Sequence, residues 1–230
     1  VHEGDPEQDG RVLIRIDKDV DAHLPSLRRG SLEMPRLEAL ARTGALTSEH
    51  FKSHLYSARK VRRHLWEQQH RKCCFCERRY ERAYSSVEHF RPKTAALNAD
   101  GTKRPGYWWL AYRIENLYFA CMPCNGSKRH HFPLHPEAHP LAYPELPWEA
   151  DPPEHAMLVD PGYDDPEEHL CFVLHRGRWR IAPRTDRGAV TIAGIRLDRD
   201  DLNDLRDAHV RDIIEPVLAI CSRERAQRGQ

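Results

Sequence analysis

The sequence lacks any long apolar run, and no segment approaches the roughly 20 residues that a membrane helix needs. Residues 1 to 5 also lack the basic and apolar regions of a signal peptide. Charged residues make up 31% and hydrophobic residues 40% of the 230 residues, and this balance is typical of a globular rather than a disordered chain. We therefore expect a soluble, cytoplasmic protein without a membrane partner.

The sequence also lacks the pattern of a disulfide-stabilised protein. Four of its seven cysteines fall in two Cys-x-x-Cys pairs, and Cys74, Cys171 and Cys221 are scattered. This usage favours metal-bound thiolates in a reducing compartment. A Walker A motif (Gly-x-x-x-x-Gly-Lys-Ser/Thr) is missing as well, so any nucleotide hydrolysis has to come from another protein.

The net charge of +1 conceals an uneven distribution along the chain. Residues 59 to 131 contain 16 Lys or Arg against 6 Asp or Glu, whereas the remainder contains 20 against 29. Lys and Arg that neutralise phosphates release counterions, and this release drives sequence-independent binding of nucleic acid. The basic segment therefore predicts a nucleic-acid interface; the alternative is an ordinary solvated basic surface.

The two Cys-x-x-Cys pairs predict a structural zinc site. Four thiolates, from Cys73, Cys76, Cys121 and Cys124, make a closed tetrahedral ligand set without a vacant position. Cys74 stands directly beside Cys73, so the ligand set could shift by one residue. The pairs enclose 44 residues, 77 to 120.

The enclosed segment contains ionisable and amide side chains suited to phosphodiester hydrolysis. His89 is the candidate general base, because a neutral imidazole with an ordinary pKa of about 6.5 can accept a proton from water. Glu88 and Asn125 offer the hard oxygen ligands that Mg²⁺ or Mn²⁺ prefers. The alternatives are a structural histidine, a cross-strand ion pair for Glu88, and a helix cap for Asn125.

Hydrophobic periodicity and turn residues predict the following elements. They are a strand over Arg11–Asp17, a long helix from Thr47 or Ser48 to Gln69, strands over Ser86–Phe90 and Ile114–Cys121, a helix over Asn125–His131 ended by Pro133, a hairpin of His169–His175 with Arg178–Ala182, and a helix capped by Asp198 that Pro216 kinks or ends. Seven prolines between residues 133 and 153 predict an extended surface segment and a subdomain boundary.

Together these motifs resemble the HNH (His-Me finger) endonuclease superfamily, and more narrowly the PtuB-like HNH subunits of Septu-type and retron anti-phage systems. The resemblance covers roughly residues 72 to 172. It is carried by Lys72–Glu77, Val87–Lys93, Tyr107–Tyr112, Glu115–Leu117, Cys121–Asn125, Lys128 and Phe132–Pro133, with a weaker echo in Val159–Pro161 and Asp165–Leu170.

The resemblance implies a role for each matching residue. His89 matches the general base, and Asn116 matches the middle Asn, which fixes the loop between the strands. Asn125 stands at the third, metal-binding position, and Glu88 matches the acidic residue that often completes the metal shell. Lys128 is placed to meet a phosphate from the first turn of the helix.

Basic residues near these motifs are expected to contact nucleic acid. They are Arg91, Lys93 and Arg129. Arg129 stands where the family commonly has Gly, so the backbone after Lys128 departs from the family pattern.

The expected architecture is α+β, with a zinc-knuckled ββα-metal (HNH) core. The core spans residues 72 to 133, a helical N-terminal region spans 1 to 71, and 134 to 230 holds the proline-rich segment, a hairpin and a C-terminal helix. The acidic flanks suit docking to a protein partner rather than to DNA.

The expected function is metal-dependent hydrolysis of nucleic-acid phosphodiester bonds within a Septu-type anti-phage complex. DNA is the expected substrate, with RNA the alternative. The resemblance implies an ABC-type ATPase partner of the SMC-related class. The competing hypotheses are a stand-alone HNH nuclease of restriction type and a non-catalytic zinc module that binds nucleic acid.

Overall fold

The computed structural model describes residues 15–150 and 154–220, and within them the chain forms short helices and three two-stranded antiparallel sheets. The predicted α+β class is confirmed. The helices are α1 (Pro25–Ser31), α2 (Met34–Arg42), α3 (Ser53–Tyr56), α4 (Arg59–Gln68), α5 (Met122–Lys128), α6 (Pro166–His169), α7 (Asp186–Ile195) and α8 (Asp200–His209). The strands are β1 (Ser85–His89), β2 (Ala95–Leu97), β3 (Lys103–Pro105), β4 (Leu117–Cys121), β5 (Leu170–His175) and β6 (Arg178–Pro183).

Strands β1 and β4 pair antiparallel at the centre of the molecule, with Ser85 opposite Cys121 and His89 opposite Leu117. Every residue of β4 is buried. Helix α5 starts directly after β4, where Pro123 suits the first turn because its missing N–H has no partner there in any helix. The predicted strand from Ile114 starts later, at Leu117, because residues 114 to 116 form a 3₁₀ turn.

The two faces of β4 pack into different hydrophobic clusters. Tyr118 and Ala120 belong to the largest cluster, which also contains the C-terminal residues Ile192 and Ile195. Leu117 and Phe119 pack instead with α4. Alternation along β4 therefore places the central hairpin between α4 on one side and the C-terminal helices on the other.

The prediction of one continuous helix between residues 47 and 69 is wrong. The structure divides this segment into a 3₁₀ turn (Ser48–His50), α3 and α4, with Ala58 in extended backbone (ψ 148°) between the two helices. Phe51 and Leu55 pack into one hydrophobic cluster, whereas α4 packs into another. One straight helix cannot direct its single apolar stripe into two separate clusters.

The predicted C-terminal hairpin is confirmed as β5 and β6. Its turn, Arg176 (φ 49°) and Gly177 (φ 74°), has positive φ at both positions, as a tight hairpin with right-handed twist needs. The predicted helix from Asp198 begins at Asp200, after Arg199 as N-cap.

Pro216 does not end this C-terminal helix. A π-helical turn at Val210–Ile214 precedes the proline, and helical residues continue to 220. The wider turn lies where Pro216, which has no N–H, would interrupt the regular hydrogen bonds. Helix α7 is an element that the sequence prediction missed.

Most of the strand predicted over Arg11–Asp17 lies outside the described residues, and residues 15 to 17 are not in a strand. The predicted helix over Asn125–His131 starts three residues earlier and ends at Lys128. Among the described residues, no helix has the length and apolar character to cross a bilayer.

Candidate metal centre and catalytic site

The four cysteines of the two Cys-x-x-Cys pairs meet at one end of the central hairpin. The sulfur atoms of Cys73, Cys76, Cys121 and Cys124 all lie within 4.8 Å of one another. Cys121 is the last residue of β4 and Cys124 lies in the first turns of α5, so strand and helix deliver one pair together. A closed set of four sulfur ligands can hold a structural zinc ion.

Cys74 does not belong to this cluster. Its side chain is buried, its amide donates to the Phe119 carbonyl (3.0 Å), and burial raises the pKa of its thiol. The possibility that Cys74 replaces Cys73 as a ligand is therefore excluded by the arrangement of the four sulfurs.

A guanidinium group lies beside the sulfur cluster. Arg199 Nη1 is 3.5 Å from the Sγ of Cys124, and its Nε is paired with Asp201 (3.0 Å). A zinc ion with four thiolates carries two net negative charges, and a neighbouring cation stabilises such a centre. The sequence motif gives no sign of this contact, because Arg199 lies 75 residues from Cys124.

His89 ends β1 at the opposite end of the hairpin, where its ring is buried. Its Nε2 lies 3.0 Å from the Ala111 carbonyl, and the edge of the Tyr56 ring contacts it with centroids 4.7 Å apart. Because a carbonyl only accepts, Nε2 carries the proton and Nδ1 keeps its lone pair. Burial lowers the pKa of His89 well below 6.5, and Lys93 lowers it further. The neutral imidazole therefore keeps one ring nitrogen, Nδ1, with a lone pair that can accept a proton.

Glu88 forms a buried ion pair with Lys128. The Lys128 ammonium lies 2.7 Å from Oε1 of Glu88 and donates to the His89 carbonyl (3.0 Å), and neither side chain is more than 6% exposed. Burial raises the pKa of Glu88, and Lys128 opposes that shift. Lys128 is the last residue of α5, so its predicted place in the first turn of that helix is wrong, whereas its contact with a phosphate stays a prediction.

Asn125 lies on α5, partly exposed, with its amide nitrogen donating to the hydroxyl of Ser86. Ser86 and Glu88 are two residues apart on β1, and both contact α5. Because alternate residues of a strand point to one face, Glu88 and Asn125 are brought to the same side of the hairpin. The donated hydrogen bond leaves the Asn125 amide oxygen as an acceptor for another group.

Asn116 fixes the segment that follows His89. It is 1% exposed, accepts from the Arg91 amide (2.8 Å), and donates to the carbonyls of Arg91 (3.0 Å) and Leu110 (3.3 Å). Its partners are backbone groups, which makes it a positioning residue for the end of β1.

The comparisons with known proteins place this arrangement in a family. Over 207 residues the chain is 30% identical to the Septu protein PtuB of Bacillus mycoides (strain KBAB4), and the match spans 87% of this chain and 68% of that protein. The chain belongs to the Septu PtuB family. It is also 26% identical over 141 residues to the Septu protein PtuA of the same strain, over 59% of this chain and 18% of that protein.

No family model matches the chain. No solved structure matches it either. Membership of the Septu PtuB family thus relates the chain to an anti-phage system, and the likeness to PtuA relates it to a second Septu protein.

Arg91 does not face solvent, contrary to the expectation that it contacts nucleic acid. Its side chain is 11% exposed and is paired with Glu154 (2.8 Å) and Asp160 (3.6 Å). These carboxylates lie 63 and 69 residues further along the chain, beyond any local sequence signal. Arg91 therefore ties the central hairpin to the segment after the proline-rich stretch.

Lys93 and Arg129 remain accessible in part. The Lys93 ammonium lies 5.0 Å from the centre of the Tyr56 ring, and burial lowers its pKa. Arg129 is exposed, and its φ of 45° lies in the region that glycine adopts easily. Arg129 holds this conformation with its Nε donating to the Gly126 carbonyl (2.9 Å), at a position where the resemblance leads one to expect glycine.

Two residues near the site carry no motif signal. Tyr56 contacts His89 from α3, 33 residues earlier in the chain. Lys18 donates to the carbonyls of Ile114 (3.0 Å), Glu115 (2.5 Å) and Leu117 (2.8 Å), and burial lowers its pKa to about 7. Both act on backbone or ring positions that only the folded chain brings together.

Proposed function

We propose that this protein is a metal-dependent endonuclease of HNH type that acts as the effector of a Septu-type anti-phage complex. The observation that carries the proposal is His89. The ring is buried, its Nε2 proton is held by the Ala111 carbonyl, and its depressed pKa keeps it neutral. A general base needs a neutral ring with one nitrogen free to accept a proton, and Nδ1 of His89 offers that nitrogen.

The proposed cation site fits the donor set of the α5 side of the hairpin. Glu88 and Asn125 would hold Mg²⁺ or Mn²⁺ through a carboxylate and an amide oxygen, leaving the remaining positions to water. A divalent cation there supplies charge stabilisation for the phosphate and the leaving oxygen. The buried Lys128 ammonium, 2.7 Å from the Glu88 carboxylate, would add a second positive charge next to the cation.

The basic segment around the hairpin supports nucleic acid as the substrate. It concentrates the positive charge of a chain that is otherwise acidic. The positive charge of Lys93 acts to lower the pKa of both Glu88 and His89. Lys93 is therefore the basic side chain best placed to meet a phosphate at this site. DNA is the proposed substrate, and RNA, which contains the same phosphodiester linkage, is the direct comparison in the same assay.

The family relationship supports an assembly with a second Septu protein. The proposed companion is the ATPase implied by the Septu resemblance, since this chain carries no Walker A motif. Nucleotide state in the companion would then control when the nuclease acts.

A nuclease assay on the complex tests the proposal. The full chain, alone and co-purified with its PtuA-type companion, is incubated with labelled DNA and RNA in Mg²⁺, Mn²⁺ or EDTA. We expect cleavage that needs the divalent ion and falls about 10²- to 10⁴-fold in His89→Gln, which keeps a donor for Ala111 but has no basic nitrogen. His169→Gln, a histidine whose pKa burial also lowers, is the matched control and retains activity.

Three results would contradict the assignment. Cleavage that survives His89→Gln removes the general base. Binding of nucleic acid without turnover in any nucleotide state favours the non-catalytic zinc module. Full cleavage by the chain alone, unaffected by the companion, favours a stand-alone nuclease.

A further inference from the structure

A surface of uncompensated positive charge follows α4 and the cysteine loop after it. Residues 59 to 82 contain nine Lys or Arg against three Asp or Glu. Six of the nine are exposed, and none of the six pairs with a carboxylate in the part of the chain that the structure describes. We name these six the basic face: Arg59, Lys60, Arg63, Arg71, Arg78 and Arg79.

Helix α4 supplies half of the basic face. Val61 and Leu65 are buried and pack with the residues of β4. Because the helix has 3.6 residues per turn, Arg59, Lys60 and Arg63 lie on its opposite, outer side. The hydrophobic packing of α4 therefore fixes the direction in which these three charges point.

The loop that carries Cys73 and Cys76 supplies the other half. The Cys73 amide donates to the Arg78 carbonyl (3.0 Å), and the Tyr80 amide donates to the Arg71 carbonyl (2.9 Å), so the two flanks of the loop lie side by side. The three arginines of the loop are on these flanks. A zinc ion on the four cysteines would hold the loop, and with it these arginines, against the central hairpin.

Two hydrogen bonds join the loop to α4. The Trp66 indole donates to the Tyr80 carbonyl (2.8 Å), and the Arg62 guanidinium donates to the Arg82 carbonyl (2.7 Å). The Arg71 guanidinium also lies 5.0 Å from the centre of the Trp66 ring. The charges of the helix and those of the loop thereby form one continuous surface.

The basic face lies on the His89 side of the central hairpin. Val87 packs with α4, and His89, two residues further along β1, is on the same face of the strand. Tyr56 contacts the His89 ring, and it precedes the start of α4 at Arg59 by three residues. The helix and the loop then lead from the His89 end of the hairpin to the end where the four cysteines meet.

We propose that the basic face binds the phosphate backbone of nucleic acid and guides it to His89, an inference that rests on the proposed nuclease. Arginine suits this ligand, because its planar guanidinium donates paired hydrogen bonds to phosphate oxygens. The ten residues of α4 span about 15 Å, which is the axial length of roughly four phosphates in one strand of a duplex. Contacts to phosphates read no bases, so the face anchors nucleic acid of any sequence.

The composition of the face favours nucleic acid over an acidic surface of the companion. The centre of a protein–protein interface is apolar and depleted of charge. None of the exposed large hydrophobic side chains of the described chain lies between residues 59 and 82. A surface of unpaired cations without an apolar centre instead matches a phosphate backbone, whose binding releases counterions.

A triple substitution tests the inference on the purified full chain. Arg59→Gln, Arg63→Gln and Arg79→Gln are combined, and affinity for a labelled DNA duplex and for RNA of the same sequence is measured at several salt concentrations without Mg²⁺ or Mn²⁺. Each lost phosphate contact lowers the slope of log affinity against log salt by about 0.9 for duplex DNA. We expect the slope to fall by about two to three, and affinity at about 0.1 M salt to fall at least about thirty-fold.

A matched control removes the same charge on the other side of the central hairpin. Arg176, Arg184 and Arg196 are exposed and belong to the β5–β6 hairpin and the end of α7, which pack on the opposite face of β4. With all three changed to Gln, affinity should stay within about two-fold of wild type and the slope should not change. Thermal unfolding and zinc content show whether both triple variants fold like the wild-type chain. Binding of the PtuA-type companion is measured for the same set of proteins.

Each outcome decides the inference. Wild-type affinity and slope in the basic-face variant, or an equal loss in the control, overturn it and leave the proposed nuclease standing. Loss of companion binding with nucleic-acid binding intact also overturns it and assigns the face to the companion. Loss of nucleic-acid binding in the variant, when the wild-type chain binds but cleaves nothing in any condition, supports the face and overturns the nuclease. A wild-type chain that neither binds nor cleaves DNA or RNA overturns both.

Discussion

The two ends of the central hairpin are held together by different chemistry. At the Ser85–Cys121 end, four sulfur atoms converge within 4.8 Å and can be joined by one metal ion. At the His89–Leu117 end, the joints are a buried ion pair, an asparagine bound to backbone, and an imidazole on a carbonyl. The first end can be closed by a metal ion, whereas the second holds titratable side chains in hydrogen bonds and an ion pair. The two kinds of contact are separated by the length of two five-residue strands.

Removing one thiolate should have the largest effect, because it acts at the end of the hairpin where the four cysteines meet. We expect Cys121→Ser to lose the zinc ion and to lower the free energy of unfolding by more than about 4 kcal/mol. Zinc content by mass spectrometry and thermal unfolding measure the two effects. Cys74→Ser is the matched control, since this buried cysteine lies outside the cluster, and zinc loss in that variant would contradict the ligand set.

Lys128→Met tests the ion pair at the other end. The substitution keeps the length of the side chain but leaves the Glu88 carboxylate buried without its cation, so we expect a loss of about 3–5 kcal/mol. Adding Glu88→Gln should recover most of that loss, because the uncompensated charge is gone. Denaturant titrations of Lys128→Met, Glu88→Gln and the double variant give the coupling free energy between the two side chains. Exposed Lys103→Met should stay within about 0.5 kcal/mol of wild type.

Asn116→Ala should have an intermediate effect on stability and a selective effect on the catalytic end. It leaves the Arg91 amide and two carbonyls without their side-chain partner, which costs about 1–3 kcal/mol for a buried group. Zinc content should stay at the wild-type level while nuclease activity falls at least tenfold. Asn98→Ala, which removes an amide bonded to Thr102 and Arg104, is the control; equal activity losses in both variants would deny Asn116 a special position.

The smallest effect is a pH dependence of stability. The pKa of His89 is depressed in the folded chain by burial, so the unfolded chain binds a proton that the native ring does not. The contribution of the neutral His89 ring to the free energy of unfolding is complete above about pH 6.5. It is lost as the pH falls towards the pKa of the folded state, at up to about 1.4 kcal/mol per pH unit. His89→Gln should therefore flatten the decline between pH 7 and pH 5 in urea titrations. A slope identical to wild type would contradict the buried neutral imidazole.

Local spacing explains why some of this arrangement could be predicted from the sequence. Each cysteine pair is a short local motif with one plausible geometry, so the metal site could be predicted. Glu88 and His89 could be singled out because they lie between the two pairs. Asn116 could be predicted from the resemblance, in which the residues on either side of it, Glu115 and Leu117, also match. The ββα order of the HNH core and the catalytic metal remain predictions.

Long-range partners explain what the sequence could not predict. Arg91 looked like a surface cation because Glu154 and Asp160 lie far along the chain, after the proline-rich stretch. The contact between Lys128 and Glu88 could not be predicted either, because it depends on α5 ending at Lys128 and on the packing of that helix against β1. The segment after Thr47 has the helical spacing of apolar residues, but these residues pack into two separate hydrophobic clusters, so the segment does not form one helix.

The contact between Arg199 and the sulfur of Cys124 connects the metal to a distant part of the chain. Arg199 is the N-cap of α8, the helix that continues through the π-helical turn to residue 220. Losing the ion would remove the negative charge that this guanidinium neutralises, and the start of α8 would lose its anchor. Metal supply would then control the C-terminal helix as well as the central hairpin: without the ion, the protein would lose both the link between the two cysteine pairs and the charge contact that fixes the start of α8.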